Sequence, residues 1–302
     1  MTYSIVARDP ETGELGVGVQ SHWFGVGSVV PHVRAGVGAV ATQSVPDPAH
    51  GQRILDALAE GAAPDAAIAA VLDGDEGAGF RQLGVVDASG RAASYTGPGC
   101  MAEAGHETGE GFAVQANIMA GPDVWPTMAQ TFGGADATLP LAERMLAAME
   151  AAQAAGGDIR GQQSAALVVL PPPAAPGAPP VLPVDLRVED HPEPLAELRR
   201  LLVLHRAYAA ATAGDEAMAE GRLDDMVRHY EEAGRLAPDN PELLFWAGMA
   251  ASYTGDRERG LSLVERAIEA SPGLRTLLER LTADVAPGAE SVRRDLESRY
   301  NS

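Results

Sequence analysis

Thr2 directly follows the initiator methionine and opens an apolar, β-prone run, TYSIVARD. Removal of Met1 puts a hydroxyl and a free α-amine on one residue. A threonine hydroxyl is a weak nucleophile until a base comes within hydrogen-bond reach. An α-amine, with an ordinary pKa of about 7.7–8.0, is such a base near working pH. The alternative is that Thr2 simply begins a strand. The rest of the chain narrows the choice: all 22 basic residues are arginine and there is no lysine. That excludes a Walker A lysine, a pyridoxal Schiff base and any lysine general base. Proton transfer near neutral pH is left to histidine, an acid, a perturbed Tyr or Cys, or the α-amine.

Other chemistry-bearing residues are fewer and weaker. Cys100, in TGPGCMAEAG, is a nucleophile candidate with His106, against its more ordinary role as a small buried hydrophobe. As the single cysteine it excludes intrachain disulfides and CxxC redox sites. The glycines of GVGVQSHWFGVGS are not followed by a helix, so they do not make a dinucleotide cradle. His22, His32, His50 and His106 lack zinc-ligand spacing, LDGDEG lacks the acid that closes a calcium loop, and no GxSxG elbow occurs. No cofactor or metal is therefore expected. In QANIMAGPDV, Asn117 stands at a strand end, where its amide suits an oxyanion donor or a turn cap. In GDIRGQQSAALVV, Asp158 and Arg160 precede a buried strand, either as a structural ion pair or as substrate ligands.

These residues need a scaffold. TYSIVARD, the turn PETGE and LGVGVQS read as a hairpin; VVPHVRAG and GVGAVATQS read as further strands. DPAHGQRILDALAEG reads as a helix with Asp47 as N-cap, Pro48 in its first turn and Gly61 past its end. APDAAIAAVLDG follows as a second helix. RQLGVVDASGRAASYTG reads as a hairpin about Asp87–Gly90, and GFAVQANIMAG as a strand. PDVWPTMAQTF and LPLAERMLAAMEAAQAAGG read as helices, QSAALVVL as a buried strand and VDLRVED as the last strand, after a proline-rich loop at 171–183. This order of strands, helix pair, strands, helix pair and strand suits antiparallel sheets covered by helices better than a doubly wound parallel sheet. After Pro192 the chain becomes almost wholly helical. A 34-residue offset there pairs Gly221 with Gly255, Ala233 with Ala267, and Pro238 with Pro272. The period and small residues resemble tetratricopeptide repeats, with Leu244 and Gly260 as departures. Only one and a half to two repeats fit, so the helices need a further partner surface, within the chain or in a second subunit.

Composition bounds the rest. A length of 302 residues suits two domains, and 46% apolar content suits a packed core. The net charge of −20 opposes nucleic acid and anionic lipid. No run is long enough to span a membrane, and Arg8, Asp9 and Glu11 oppose a signal h-region, so a cytoplasmic location is expected.

Taken together, TYSIVARDPETGELGVGVQS, PHVRAGVGAVATQS, QLGVVDASGRAASYTG, GFAVQANIMAGPDV, GGDIRGQQSAALVV and DLRVEDHPEPLAELRRLL resemble the domain of unknown function 1028 family over roughly residues 2–202. That resemblance implies a fold similar to N-terminal nucleophile hydrolases: an α+β, four-layer αββα sandwich. With it, the expected domains are 1–190 for the sandwich and 191–302 for an all-α tetratricopeptide-like region. The superfamily uses the first residue of its first strand as nucleophile and that residue's amine as base, a role that falls on Thr2. Where proteasome-like members have a lysine, PHVRAG offers Arg34, and Gln20 and Ser21 stand in the region of their acid. The expectation is hydrolysis of a small, possibly anionic, amide or peptide. Thr2, Arg34 and Asn117 are its catalytic candidates, and His22, Asp158 and Arg160 its substrate-binding ones. The alternative is a non-catalytic domain of this fold serving as an interaction module. The helical region is expected to bind a protein partner or a second copy as a homodimer.

Overall fold

The computed structural model describes residues 2–174 and 181–300. They form two compact units that divide between residues 200 and 201. In the first, β1 (Thr2–Arg8) and β2 (Leu15–Ser21) make the expected antiparallel hairpin, with Thr2 opposite Ser21 and Arg8 opposite Leu15. They sit in the middle of a six-stranded sheet with β7 (Gly105–Gly109), β8 (Phe112–Asn117), β9 (Ser164–Leu170) and β10 (Val184–Val188), in the order β10-β9-β2-β1-β8-β7. A four-stranded sheet runs β3-β4-β5-β6: β3 (Pro31–Arg34), β4 (Gly38–Ser44), β5 (Arg81–Asp87) and β6 (Ala92–Thr96). Every strand pairing is antiparallel.

Side chains alternate between the faces of a strand. Val6, Val17 and Val19 of the larger sheet meet Ala39, Ala41 and Val86 of the smaller one in a shared apolar core. The opposite faces are covered by helices. α1 (Pro48–Ala59) and α2 (Pro64–Leu72) bring Ile54, Leu55 and Ile68 against Val40, Leu83 and Val85. α3 (Val124–Gly133) and α4 (Leu141–Ala154) pack on the six-stranded sheet. Here the glycines of LGVGVQS find their purpose. A Cβ on Gly16 would lie 2.9 Å from the Met145 sulfur, and one on Gly18 2.6 Å from that of Met149. The glycines make room for helix α4, not for a nucleotide; the connection after them holds a single 3-10 turn, Val26–Ser28.

Local signals act as expected at α1. The Asp47 side chain accepts from the Ala49 N–H at 2.9 Å, Pro48 opens the helix, and Gly61 follows it at φ 96°. The strand β7 has no apolar signature because GHETG is a largely exposed edge strand. Of the proline-rich loop, residues 175–180 lie outside the described residues, and the rest of 171–183 has no regular structure.

The second unit is mostly helical. α5 (Pro194–Ala219) runs across the division, followed by α6 (Leu223–Leu236), α7 (Pro241–Thr254), α8 (Arg257–Ala270), α9 (Gly273–Arg280) and α10 (Ala289–Tyr300). Met226 and Tyr230 pack with Leu243 and Ala247, while Phe245 and Met249 pack with Leu261, Val264 and Val292. Gly260, a departure from the repeat pattern, has a steric cause. A Cβ there would lie 2.6 Å from the Gly248 carbonyl and 2.1 Å from the Ser252 hydroxyl, so α7 and α8 approach through glycine. No helix among the described residues is long and apolar enough to cross a membrane.

Candidate functional site

Thr2 is 4% exposed and faces the four-stranded sheet, on the same side of β1 as Ser4 and Val6; Tyr3 faces α4, where its hydroxyl donates to Gln153 at 3.1 Å. The register of β1 puts Ser21 on one side of Thr2 and Asn117 on the other. The Thr2 hydroxyl donates to the Ser21 hydroxyl at 3.1 Å. Its carbonyl accepts from Gln43 Nε2 at 3.3 Å and Asn117 Nδ2 at 3.4 Å.

Around Thr2 lies a buried network built only from neutral groups. Gln82 Oε1 accepts from Gln43 Nε2 and Asn117 Nδ2, both at 2.8 Å. Gln82 Nε2 donates to the Ala116 carbonyl at 2.8 Å and to Thr96 Oγ1 at 2.9 Å. The Ser4 hydroxyl donates to Gln43 Oε1 at 2.7 Å and accepts from Gln115 Nε2 at 2.5 Å. Gly84 is obligatory beside it, since a Cβ there would lie 2.0 Å from Gln115 Oε1. Buried polar groups of this kind are stable only when their partners are supplied. One acceptor lacks a partner: Asn117 Oδ1 is buried without a hydrogen bond.

The strand ends at this site are strained. Ser44, next to Gln43, has φ 72°, and Ile118, next to Asn117, has φ 57°. A β-branched residue in the left-handed region is a true outlier, costing about 1–3 kcal/mol, and such strain concentrates at functional sites. Backbone bonds hold Ile118 in place: its N–H donates to Met101 and its carbonyl accepts from Ile159.

The other expected residues divide. Asp158 reaches the same end of the sheet, where its backbone bridges Met119 and its carboxylate accepts from the His22 N–H at 3.2 Å. Arg160 gives that carboxylate three more donors: its own N–H at 2.9 Å, Nε at 3.1 Å and Nη2 at 2.7 Å. Asp158 is thus a fixed buried anion. The Tyr3 hydroxyl is held well above its ordinary pKa, first by burial and then by Asp158 and Glu150. His22 Nδ1 is buried with no partner. The structure therefore gathers Thr2, Asn117, His22, Asp158 and Arg160. It does not gather Arg34, which pairs with Gly38 at the far end of β4 from Gln43, five residues or roughly 17 Å along the strand. Its guanidinium holds Asp56 at 2.7 Å. The strand register corrects its expected catalytic role.

A cleft of about 550 Å³ opens beside the network, lined by Thr96, Cys100, Glu103, His106 and Trp125 among others. His106 Nδ1 lies 2.8 Å from Thr96 Oγ1. That oxygen also accepts from Gln82 Nε2, which ties the imidazole to the amide network. Burial lowers the His106 pKa, which keeps the ring neutral near pH 7. Cys100 shares the cleft without bonding to His106; its thiol donates to the Arg81 carbonyl at 3.4 Å. Among the described residues, no three His, Cys, Asp or Glu side chains come together to hold a metal.

Beyond Ser21 and Asn117, the glutamines near Thr2 were not singled out from the sequence. Gln43, Gln82 and Gln115 each interrupt an apolar strand, as ATQS, RQLGVV and AVQAN, and that interruption was the available signal. The architecture and site define a class: a mixed α+β protein with antiparallel sheets, whose first strand opens inside a buried hydroxyl–amide network. More specifically, the chain belongs to a family of unknown function, DUF1028, whose model matches residues 2–198. The crystal structure of protein SPO2555 from Silicibacter pomeroyi, assigned to the same family, is similar at 33% sequence identity and a TM-score of 0.60. The match covers 67% of this chain and 87% of that one. Comparison with curated proteins finds no match.

Proposed function

We propose that the family domain is an amidohydrolase of the N-terminal-nucleophile type, a four-layer αββα sandwich that acts on a small amide or peptide through Thr2. The observation that carries this reading is the placement of Thr2 at the head of β1, between Ser21 and Asn117 and beside two strained strand ends. The reaction requires excision of the preceding methionine. The freed α-amine of Thr2, directly or through one water, takes the hydroxyl proton as Oγ1 attacks the substrate carbonyl. The tetrahedral oxyanion is met by neutral donors, Asn117 among the candidates if its amide turns from Thr2 and Gln82. Collapse breaks the C–N bond, and the ammonium returns its proton to the leaving amine. Water, with its proton taken by the same amine, then releases the acid and regenerates Thr2.

Electrostatics suits this cycle. The groups that bond Thr2 and its amide neighbours are neutral, so none of them binds an oxyanion as a fixed charge. The cleft beside Thr96 and His106 is the natural substrate entrance. An anionic substrate group rests on Arg160 alone, whose side chain keeps about 27% of its surface exposed while bound to Asp158. The helical region is proposed to serve docking or homodimerisation as a tetratricopeptide-like extension. Supporting this, α6 and α8 begin at 223 and 257 and end at 236 and 270, both 34 residues apart. A cytoplasmic site of action completes the reading.

The test is covalent labelling with a β-lactone, read by mass spectrometry of the intact protein. Material beginning at Thr2 acquires one adduct, lost in Thr2→Ala and kept in Ser4→Ala; equal labelling of both variants overturns the mechanism. A second reading rests on the 4% exposure of Thr2: with residue 1 retained, Thr2 is an interior strand residue and the domain a binding module. Retention of Met1 in the protein isolated from its native host decides for that reading.

A further inference from the structure

The other end of β1 carries a second built feature. A cavity of about 570 Å³, within the range of small-molecule sites, is lined by Arg8, Arg144, Ser89, Glu110, Phe112 and Phe132 together with small residues. Two of its walls are the turn at Gly90 and the turn at Gly111, which touch: the Gly111 N–H donates to the Gly90 carbonyl at 3.1 Å. Both glycines have positive φ, 86° and 77°. Phe112 and Phe132 stand 4.9 Å apart and tilted, and the Arg144 guanidinium lies 5.7 Å from the Phe132 ring centre.

Two guanidinium donors in this wall lack acceptors. Nε of Arg8 and Nε of Arg144 are both buried without a hydrogen bond. Arg144 is otherwise committed, with Nη2 on the buried Asp9 carboxylate. Arg8 is not. In this chain acids outnumber arginines 42 to 22. Arg34, Arg81, Arg91, Arg144, Arg160 and Arg187 each hold a carboxylate. A half-buried arginine with a carboxylate-free guanidinium is out of keeping with that composition. An unsatisfied buried donor is unfavourable, and an arriving acceptor relieves that cost.

The unpartnered donor selects the acceptor. Arg144 is set against Asp9 and, less directly, Glu14, and Glu110 stands exposed at the rim, which leaves Arg8 as the lining cation with no carboxylate partner among the described residues. A planar guanidinium in that state matches one carboxylate fork. The phenylalanine rings supply an apolar surface beside it. We propose that this cavity binds a small monocarboxylate with an apolar or aromatic body, its carboxylate on Arg8 and its body against Phe112 and Phe132. The site is separate from the Thr2 reaction and does not depend on it.

Isothermal titration calorimetry with sodium benzoate tests the proposal on the full chain, with benzamide, acetate and inorganic phosphate as comparisons. Benzoate is expected to bind saturably, one per chain, at least tenfold more tightly than benzamide or acetate. Arg8→Met, which keeps the aliphatic stem, loses at least tenfold in benzoate affinity. Arg8→Lys loses less, and Glu110→Gln gains a few-fold. Circular dichroism checks that each variant is folded. Thr2→Ala leaves benzoate binding unchanged. Benzoate that fails to saturate, that binds wild type and Arg8→Met alike, or that binds no better than phosphate overturns the proposal. So does benzoate binding in Glu110→Gln alone, which would make Glu110 the resident partner of Arg8.

Discussion

At its Thr2 end, β1 is surrounded by neutral hydroxyls and amides whose donors point in fixed directions, with Gln82 accepting from Gln43 and Asn117 while donating to Thr96 and Ala116. At its Arg8 end, the same strand and its turn carry full charges: Asp9 paired with Arg144, both almost wholly buried, and Arg8 with no carboxylate. The two ends answer the cost of burying polar groups differently. Neutral amides avoid the desolvation of an ion and can position a reactive hydroxyl without fixing its charge state. An ion pair survives burial only while both members remain, so it holds a turn firmly and tolerates change poorly. A strand of seven residues thus carries one end suited to chemistry and one suited to holding an anion.

The sharpest way to break this contrast is at the nucleophile. Thr2→Ala is expected to abolish amide turnover, a loss on the order of 10³-fold or more, measured as hydrolysis of a small-amide library. Residual turnover near wild type removes the chemistry from this end. Next, Arg144→Met strands the Asp9 carboxylate and should destabilise the first unit by about 3–5 kcal/mol. Arg8→Met, by contrast, should cost less than about 1 kcal/mol because it breaks no pair. Chemical denaturation followed at Trp23 and Trp125, with Trp246 replaced, gives the difference; equal losses would erase the distinction between the two arginines. Gln82→Leu leaves the amides of Gln43 and Asn117 without their shared acceptor, at about 2–4 kcal/mol. Hydrogen exchange should then rise at β4 and β8 before it rises at the Asp9 turn.

Acid separates the ends more gently. Burial pushes the Asp9 carboxyl up, but the N–H groups of Thr12 and Glu11 and the Arg144 guanidinium outweigh it and hold its pKa below the usual value. A folded-state pKa below the unfolded one stabilises the protein above the ordinary carboxylate range, near pH 4, and that stability fades as pH falls through the depressed value. The amide network does not titrate there. Below pH 4, hydrogen exchange corrected for intrinsic rate should increase first at residues 8–14, and Asp9→Asn should flatten that limb. The smallest effect is expected from Arg34→Ala. It removes a partly exposed ion pair with Asp56 and should leave β-lactone labelling at Thr2 unchanged.

Much of this was legible in local sequence. The hairpin of β1 and β2 follows from two β-prone runs around PETGE. Helix α1 follows from Asp47, Pro48 and Gly61, and the helical character after Pro192 from its apolar spacing. The edge strand β7 was not legible, because GHETG pairs through its backbone and leaves most of its side chains exposed. Of the site, Thr2, Asn117 and the Asp158–Arg160 pair were readable from strand ends. The glutamines were not, because each reads alone as a polar residue misplaced in a strand. Gln43 and Gln82 are 39 residues apart, and Gln82 and Asn117 are 35 apart. Only the stacking of two sheets makes them one network.

The sequence by itself determined which groups are available: a threonine at position 2, no lysine anywhere, one cysteine, and acids outnumbering arginines. It also determined most helices and strands, because those depend on capping, turn and periodicity signals a few residues apart. The tertiary structure decided which groups meet. Strand register sends Arg34 away from Thr2 and brings Ser21 and Asn117 to it. Sheet stacking turns isolated glutamines into mutual partners, and two touching glycine turns bound the cavity at Arg8. Register and stacking are set by burial of whole faces, a sum over residues far apart in the chain, so no single stretch of sequence states them.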